Sequence, residues 1–134
     1  TNRFPWWGTV KRGTSTALVG AVAATGDSYI FTTNRPVYIE RIDIVSSAGI
    51  ATSDANYWEV QVNNITQTLD LLSAVKSTKT TGGTAVTANT VWSLTPDQNQ
   101  TLADGDVLVL EFVKTLAPDP FAGTFVVVHY RVAE

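Results

Sequence analysis

The chain has 134 residues, a net charge of −3 at pH 7, 44% hydrophobic residues and no cysteine. This length suits one domain with its own core, and the lack of cysteine excludes disulfides and thiolate metal sites. No apolar run reaches the roughly 18 residues of a membrane span and no leader-type segment opens the chain, so the sequence predicts a soluble protein without a membrane partner. The 20 threonines and 17 valines favour β-sheet.

Charge is unevenly distributed along the chain. Residues 1–13 hold three basic side chains and no acidic one, whereas residues 14–134 hold six basic and twelve acidic ones, which gives +3 and −6. Phosphate binding needs a basic face, so an acidic body argues against nucleic acid as the main partner.

The sequence predicts an extended N-terminal arm at residues 1–13 and a single β domain at residues 14–134. Pro5 removes a backbone donor and disfavours helix in the residue before it. The aromatic residues around Pro5 either fold back onto the domain's own core or dock on a neighbouring subunit, where aromatic anchors are enriched. We predict the docking role, with Arg3, Phe4, Trp6, Trp7, Lys11 and Arg12 as the contact residues.

The first half of the domain reads as a series of strands. Short β runs are predicted at residues 17–24 and 29–33. In the next strand, residues 37–47, the apolar positions change parity between Ile39 and Ile42. Because a slip of one residue moves every later side chain to the other face, this change predicts a β-bulge at Glu40 and Arg41.

The middle of the chain is less regular. Residues 57–63 alternate cleanly, with Trp58 and two valines facing inward, which is typical of a strand solvated on one side. Residues 68–77 fit a helical face and a strand face almost equally well, and we predict a strand. A Gly- and Thr-rich loop and a short strand at residues 91–94 follow.

The last third contains two long β runs. Residues 107–113 are apolar on both faces apart from Glu111, which predicts a central strand. Residues 124–132 form the second run, and we predict that it pairs antiparallel with the first across a wide loop.

Eight or nine strands at intervals of about ten residues predict an all-β, antiparallel β-sandwich of jelly-roll type. Its predicted core contains Ile42, Ile44, Trp58, Val60, Val62, Leu108, Leu110, Phe112, Val126, Val128 and Tyr130.

The sequence contains few candidate catalytic or metal-binding residues. The single histidine, His129, has no carboxylate or nucleophile near it in the sequence, which favours a structural or surface role. Without a second histidine or a cysteine, a His/Cys metal site is excluded. Asp104 and Asp106 flank Gly105 in a pattern that indicates a turn rather than a calcium site, since too few ligands are present. We therefore expect a non-enzyme that needs neither metal nor cofactor.

The run Asn-Gln-Thr-Leu-Ala-Asp-Gly-Asp-Val-Leu-Val-Leu at residues 99–110, together with a last strand that ends His129-Tyr130-Arg131-Val132, resembles the closing half of small β-sandwich and jelly-roll proteins of tailed-phage virions. Head decoration (cement) proteins are the most similar group. The Leu-x-x-Gly-Asp-x-Leu-x-Leu pattern also resembles a turn of trimeric tumour-necrosis-factor-like jelly rolls. The cysteine-free, Thr/Ala/Val-rich domain and the aromatic arm strengthen the resemblance to the phage proteins.

This resemblance implies a bacteriophage structural protein on the capsid surface of the virion. Its implied partners are the major capsid protein or other virion subunits, and its implied state is a homotrimer. The alternative is a carbohydrate- or receptor-binding module of a phage fibre, for which Asp54, Asn56, Tyr57 and Trp58 form the best local cluster. The alternation of Trp58 with Val60 places Trp58 in the core and weakens that alternative.

Overall fold

The computed structural model describes residues 10–133, which form two antiparallel five-stranded sheets packed as a β-sandwich, with no helix among them. The ten strands are β1 (Val10–Val22), β2 (Gly26–Thr32), β3 (Val37–Val45), β4 (Tyr57–Asn64), β5 (Leu69–Asp70), β6 (Lys76–Ser77), β7 (Val91–Leu94), β8 (Thr101–Leu102), β9 (Val107–Thr115) and β10 (Phe121–Ala133). The structure has more strands than the predicted eight or nine because it includes three very short ones, β5, β6 and β8, of two residues each. The described residues contain no helix with the length and apolarity that a membrane crossing requires.

The chain crosses repeatedly between the two sheets, although β4, β5 and β6 all lie in the second sheet and β7 and β8 both lie in the first. The first sheet has the order β1-β10-β3-β7, with β8 also on β3, and the second has the order β2-β9-β4-β5, with β6 also on β4. β9 lies between β2 and β4, which confirms that the doubly apolar run is a central strand. β1 forms one edge of the first sheet.

The predicted pairing of the two long C-terminal runs is wrong. β9 belongs to the second sheet, whereas β10 lies in the first sheet between β1 and β3. The segment between them crosses from one sheet to the other instead of closing a hairpin. Period-two alternation identifies the faces of a strand but not its neighbours, because every strand of a sandwich has the same alternation.

The predicted β-bulge is confirmed. In the pairing of β3 with β10, His129 lies opposite Arg41 and Tyr130 lies opposite Ile39, so Glu40 is the extra residue. Ile39 and Ile42 are both fully buried, while the side chains of Glu40 and Arg41 remain accessible. The bulge therefore places two consecutive charged residues on the outer face of the first sheet.

All predicted core residues are buried except Tyr130, which is partly buried at one end of the sandwich. The centre of the core is aromatic. Phe121 contacts Trp58, Trp92 and Phe112, with ring centroids 5.2 to 6.1 Å apart. The indole N–H of Trp58 donates to the carbonyl of Asp119 at 2.8 Å, so its one polar atom is satisfied inside the core.

Residues 68–77, predicted as one strand, form only β5 and β6 with an irregular segment between them. That segment buries Leu71 and Leu72. The side-chain amide of Gln61 accepts the N–H of Leu72 at 3.1 Å and donates to its carbonyl at 3.0 Å. At Leu72 a side chain thus replaces the backbone ladder, while the N–H of Leu71 donates to the carbonyl of Val62 at 2.8 Å, so both leucines are buried here without a continuous strand.

Candidate docking surfaces

The predicted docking arm lies only partly within the described residues. Arg3, Phe4, Trp6 and Trp7 fall outside residues 10–133, and the structure gives no account of them. Lys11 and Arg12 belong to β1, where they lie opposite Val132 and Arg131 of β10. The part of the predicted arm from residue 10 onward is therefore a paired strand of the sandwich.

A groove of about 910 Å³ opens between the start of β1 and the end of β2. Phe31 and Tyr130 form its aromatic floor, with ring centroids 5.5 Å apart, and Val37 and Val132 also line it. Its volume lies in the range of ligand-binding clefts. The groove begins where the chain of the predicted arm enters β1.

Gly13 allows the groove floor to form. A Cβ atom at this position would lie 2.6 Å from the ring of Tyr130, closer than carbon atoms pack. The Tyr130 ring therefore lies directly against the backbone of β1. A side chain at residue 13 would push the ring out of the floor.

The lip of the groove is polar and mainly basic. Its charged residues are three basic ones, Lys11, Arg12 and Arg35, and one acidic one, Asp104. The Arg12 side chain is 71% exposed and its Nε lies 3.4 Å from Glu40, a contact of the kind that contributes little to stability. Hydroxyl and amide groups complete the lining, from Thr14, Ser15, Thr32, Thr33 and Asn34.

A second polar feature is a side-chain network centred on Asp43, on the outer face of the first sheet. Asp43 is 6% exposed and accepts hydrogen bonds from Ser93 Oγ at 2.8 Å and Arg41 Nε at 2.9 Å. His129 Nε2 lies 2.9 Å from its other oxygen. Burial raises the pKa of Asp43, but the hydrogen bonds from Ser93, Arg41 and His129 outweigh it and hold the pKa below its ordinary value.

Contrary to the expectation from the sequence, a carboxylate, that of Asp43, lies within reach of His129. The two residues are 86 positions apart in the chain and meet because β3 and β10 are neighbours. Asp43 stands between Ser93 and His129, whereas a nucleophilic triad needs the histidine in the middle. The geometry therefore links β3, β7 and β10, and it is not the order of a Ser-His-Asp triad.

The outer face of the second sheet is acidic. Glu111 lies directly opposite Asp27 on β2 and Gln61 on β4. Burial raises the pKa of Glu111, and the nearby charges of Asp27 and Asp70 raise it further. Like charges directly opposite each other in a sheet are destabilising.

We expect Glu111→Gln to raise the free energy of unfolding at pH 7 by a few tenths to about 1 kcal/mol, because the replacement removes this repulsion. A raised pKa in the folded state means that ionisation opposes folding. The gain should therefore shrink as the pH falls through the folded pKa and vanish below about 4.3, the pKa of an unfolded glutamate. Urea unfolding of both proteins at pH 7 and pH 3.5 measures this gain in the free energy of unfolding. Glu59→Gln is the control, since Glu59 lies 3.8 Å from Lys79 and should show no gain; equal gains would contradict the repulsion.

The Asp-Gly-Asp segment is a turn, as predicted. The N–H of Asp106 donates to the carbonyl of Ala103 at 3.0 Å, and Gly105 has a φ of 87°. Asp106 is buried and accepts hydrogen bonds from Asn64 Nδ2, Gln67 Nε2 and the N–H of Ala103, at 2.9 to 3.1 Å. Within residues 10–133, no group of three or more potential metal ligands is placed to hold an ion.

The cluster suggested for glycan binding serves the fold instead. Trp58 has no exposed surface. Asn56 accepts the N–H of Ala117, and Asp54 accepts the N–H and hydroxyl of Thr81, at 2.9 to 3.1 Å. These residues fix two loops, so they do not form an open aromatic platform.

No protein-family model matches the chain, and no curated protein is significantly similar to it. A functional assignment therefore depends on the groove, the two sheet faces and the sequence of the arm.

Proposed function

We propose that this protein is a structural virion protein that binds an assembled phage capsid and stabilises it, as decoration or cement proteins do, without catalysis. Its partners are the major capsid protein or other virion subunits, and it sits on the capsid surface. The strand orders β1-β10-β3-β7 and β2-β9-β4-β5, with repeated crossings between the two sheets, support the jelly-roll type predicted from the sequence.

The observation that carries the proposal is the groove at the base of the arm. The structure brings Lys11 and Arg12 to the lip of a cleft with an aromatic floor, at the point where the chain of residues 1–9 joins β1. Aromatic residues and arginine are enriched at protein interfaces. The sandwich supplies a rigid base, and the arm adds the aromatic contacts of Phe4, Trp6 and Trp7.

The charge of the arm suits an acidic binding surface. Residues 14–134 carry a charge of −6, and the arm has no acidic residue. Opposite charges raise the rate of association, and buried aromatic side chains stabilise the complex once it has formed. We propose that three copies assemble as a homotrimer around a capsid symmetry axis, each arm lying on an acidic surface of the capsid or of an adjacent copy.

Replacement of Trp6 and Trp7 by alanine in the full chain tests the proposal. We expect the double variant to keep the melting temperature of the wild type but to lose capsid affinity about tenfold or more, because truncated aromatic anchors are costly at interfaces. Co-sedimentation with capsids assembled from a candidate major capsid protein measures the affinity. Tyr29→Ala is the matched control, since Tyr29 is an exposed aromatic residue of the second sheet.

Three other outcomes argue against the arm or the function. Unfolding of the Trp6/Trp7 variant would place these tryptophans in the protein's own core. Unchanged capsid affinity would move the contact to the loops of residues 73–88 and 115–122. Failure of the wild type to bind any candidate capsid would refute the decoration role.

A further inference from the structure

Most of the long edge of the first sheet lacks the usual protection against pairing with another chain, because its charged residues are confined to Lys11 and Arg12 at its start. β1 spans 13 residues and pairs with β10 on one side, and no strand among the described residues lies along its other side. Residues 13–22 contain no charged residue and no proline. Exposed edges normally carry such residues, because a free row of backbone N–H and carbonyl groups is a template for another strand.

The other described edges are short or interrupted. β2 has seven residues, carries Asp27, and is broken by a register shift at Ile30. β7 has four residues, and β5 and β6 have two each. Among the strands of residues 10–133, β1 is the one that combines length with a long uncharged stretch, residues 13–22.

The accessible part of β1 is regular. Its register with β10 is unbroken from Val10 to Leu18, and the ladder becomes irregular around Gly20, which has a φ of 77°. The groove separates residues 11–15 from the end of β2, and the side chains of Arg12, Thr14 and Thr16 are exposed. Leu18, at the end of the regular part, is 85% exposed.

We propose that β1 pairs antiparallel with β1 of a second copy of this chain, about a two-fold axis at Ser15. In this register Thr14 lies opposite the partner's Thr16, and Arg12 lies opposite the partner's Leu18. Lys11 lies opposite the partner's Val19, which is the last pair before the irregularity at Gly20. The two first sheets become one continuous sheet.

The sequence of β1 is complementary to itself in this register. Arg12 and the partner's Arg12 are six residues apart, about 20 Å, so no like charges meet. The aliphatic stem of each Arg12 covers the exposed Leu18 of the other copy. Facing threonines are favourable cross-strand pairs. A second copy also closes this contact, because each β1 edge is used once and no β1 edge remains free for a third copy.

This pairing does not rest on the decoration role and is separate from a trimer contact. On a capsid, copies grouped around three-fold axes meet their neighbours across two-fold axes, and β1 would join them there. In solution, the pairing predicts dimers, or hexamers where the trimer contact also forms.

Two variants that differ only at residue 16 test the register. T14K/T16K places two like-charged pairs across the proposed axis, whereas T14K/T16E places two opposite-charged pairs there. Both side chains are exposed in the isolated chain, so both variants should melt close to the wild type. Sedimentation velocity up to about 100 µM detects association with a Kd of that order.

We expect the wild type and T14K/T16E to form an even-numbered assembly, and T14K/T16K to associate about tenfold more weakly or not at all. Backbone amides of residues 13–18 should exchange with deuterium more slowly in the assembled wild type than in T14K/T16K. A wild type that remains monomeric, or forms only trimers, overturns the proposal. So does equal association of the two variants.

Discussion

Replacing Trp58 with alanine is expected to lower the free energy of unfolding by about 3 to 5 kcal/mol, the range for large aromatic residues removed from cores. Trp58 has no exposed surface, and its ring contacts Phe112 and Phe121 with centroids 6.2 and 5.4 Å away. The alanine variant leaves a cavity between the sheets and removes the hydrogen bond to the carbonyl of Asp119. Chemical denaturation followed by far-ultraviolet circular dichroism measures the loss.

Tyr29→Ala is the control for this prediction. Tyr29 is 67% exposed on the second sheet, so its removal should change stability by less than about 1 kcal/mol. A loss for Trp58→Ala as small as that of Tyr29→Ala would mean that Trp58 lies at the surface. That result would restore Trp58 as a glycan-binding residue.

Replacing Asp106 with alanine is expected to cost about 2 to 4 kcal/mol at pH 7, because several hydrogen bonds to a charged group are lost and buried donors are left without acceptors. The donors are the side-chain amides of Asn64 and Gln67 and the N–H of Ala103. Asp104→Ala is the matched control from the same turn. Asp104 is exposed, so its removal should have little effect.

The contribution of Asp106 should also depend on pH. The hydrogen bond from Asn64 lowers the pKa of Asp106 most, and those from Ala103 and Gln67 lower it further, against the opposing effect of burial. A lowered pKa in the folded state adds stability that is present above the unfolded value of about 3.9 and is lost as the pH falls through the folded pKa. The difference between wild type and Asp106→Ala should therefore narrow below pH 4. A difference that stays constant from pH 7 to pH 2 would show that the charge is not responsible.

These two sites show how the fold maintains the groove. The aromatic centre at Trp58 holds the sheets together, and Asp106 anchors the turn beside Asp104, which lies on the lip of the groove. A cleft with fixed walls loses little conformational freedom when a partner binds.

The sequence by itself determined the features that depend on local pattern. Alternation at Trp58 and Val60 identified their buried face, because successive side chains in a strand point to opposite sides. The parity change between Ile39 and Ile42 located the bulge, and Asp104-Gly105-Asp106 identified the turn. The all-β class followed from the same patterns. Of the predicted docking residues, Lys11 and Arg12 lie at the groove.

Only the tertiary structure decided which strands are neighbours. β10 pairs with β1 and β3 rather than with β9, and this pairing brings His129 to Asp43 across 86 residues. It also places Tyr130 against Gly13 to make the groove floor. Alternation records which face of a strand is buried but carries no information on the strand beside it. The groove and the Asp43 network are formed by strand neighbours, so local sequence patterns could not reveal them.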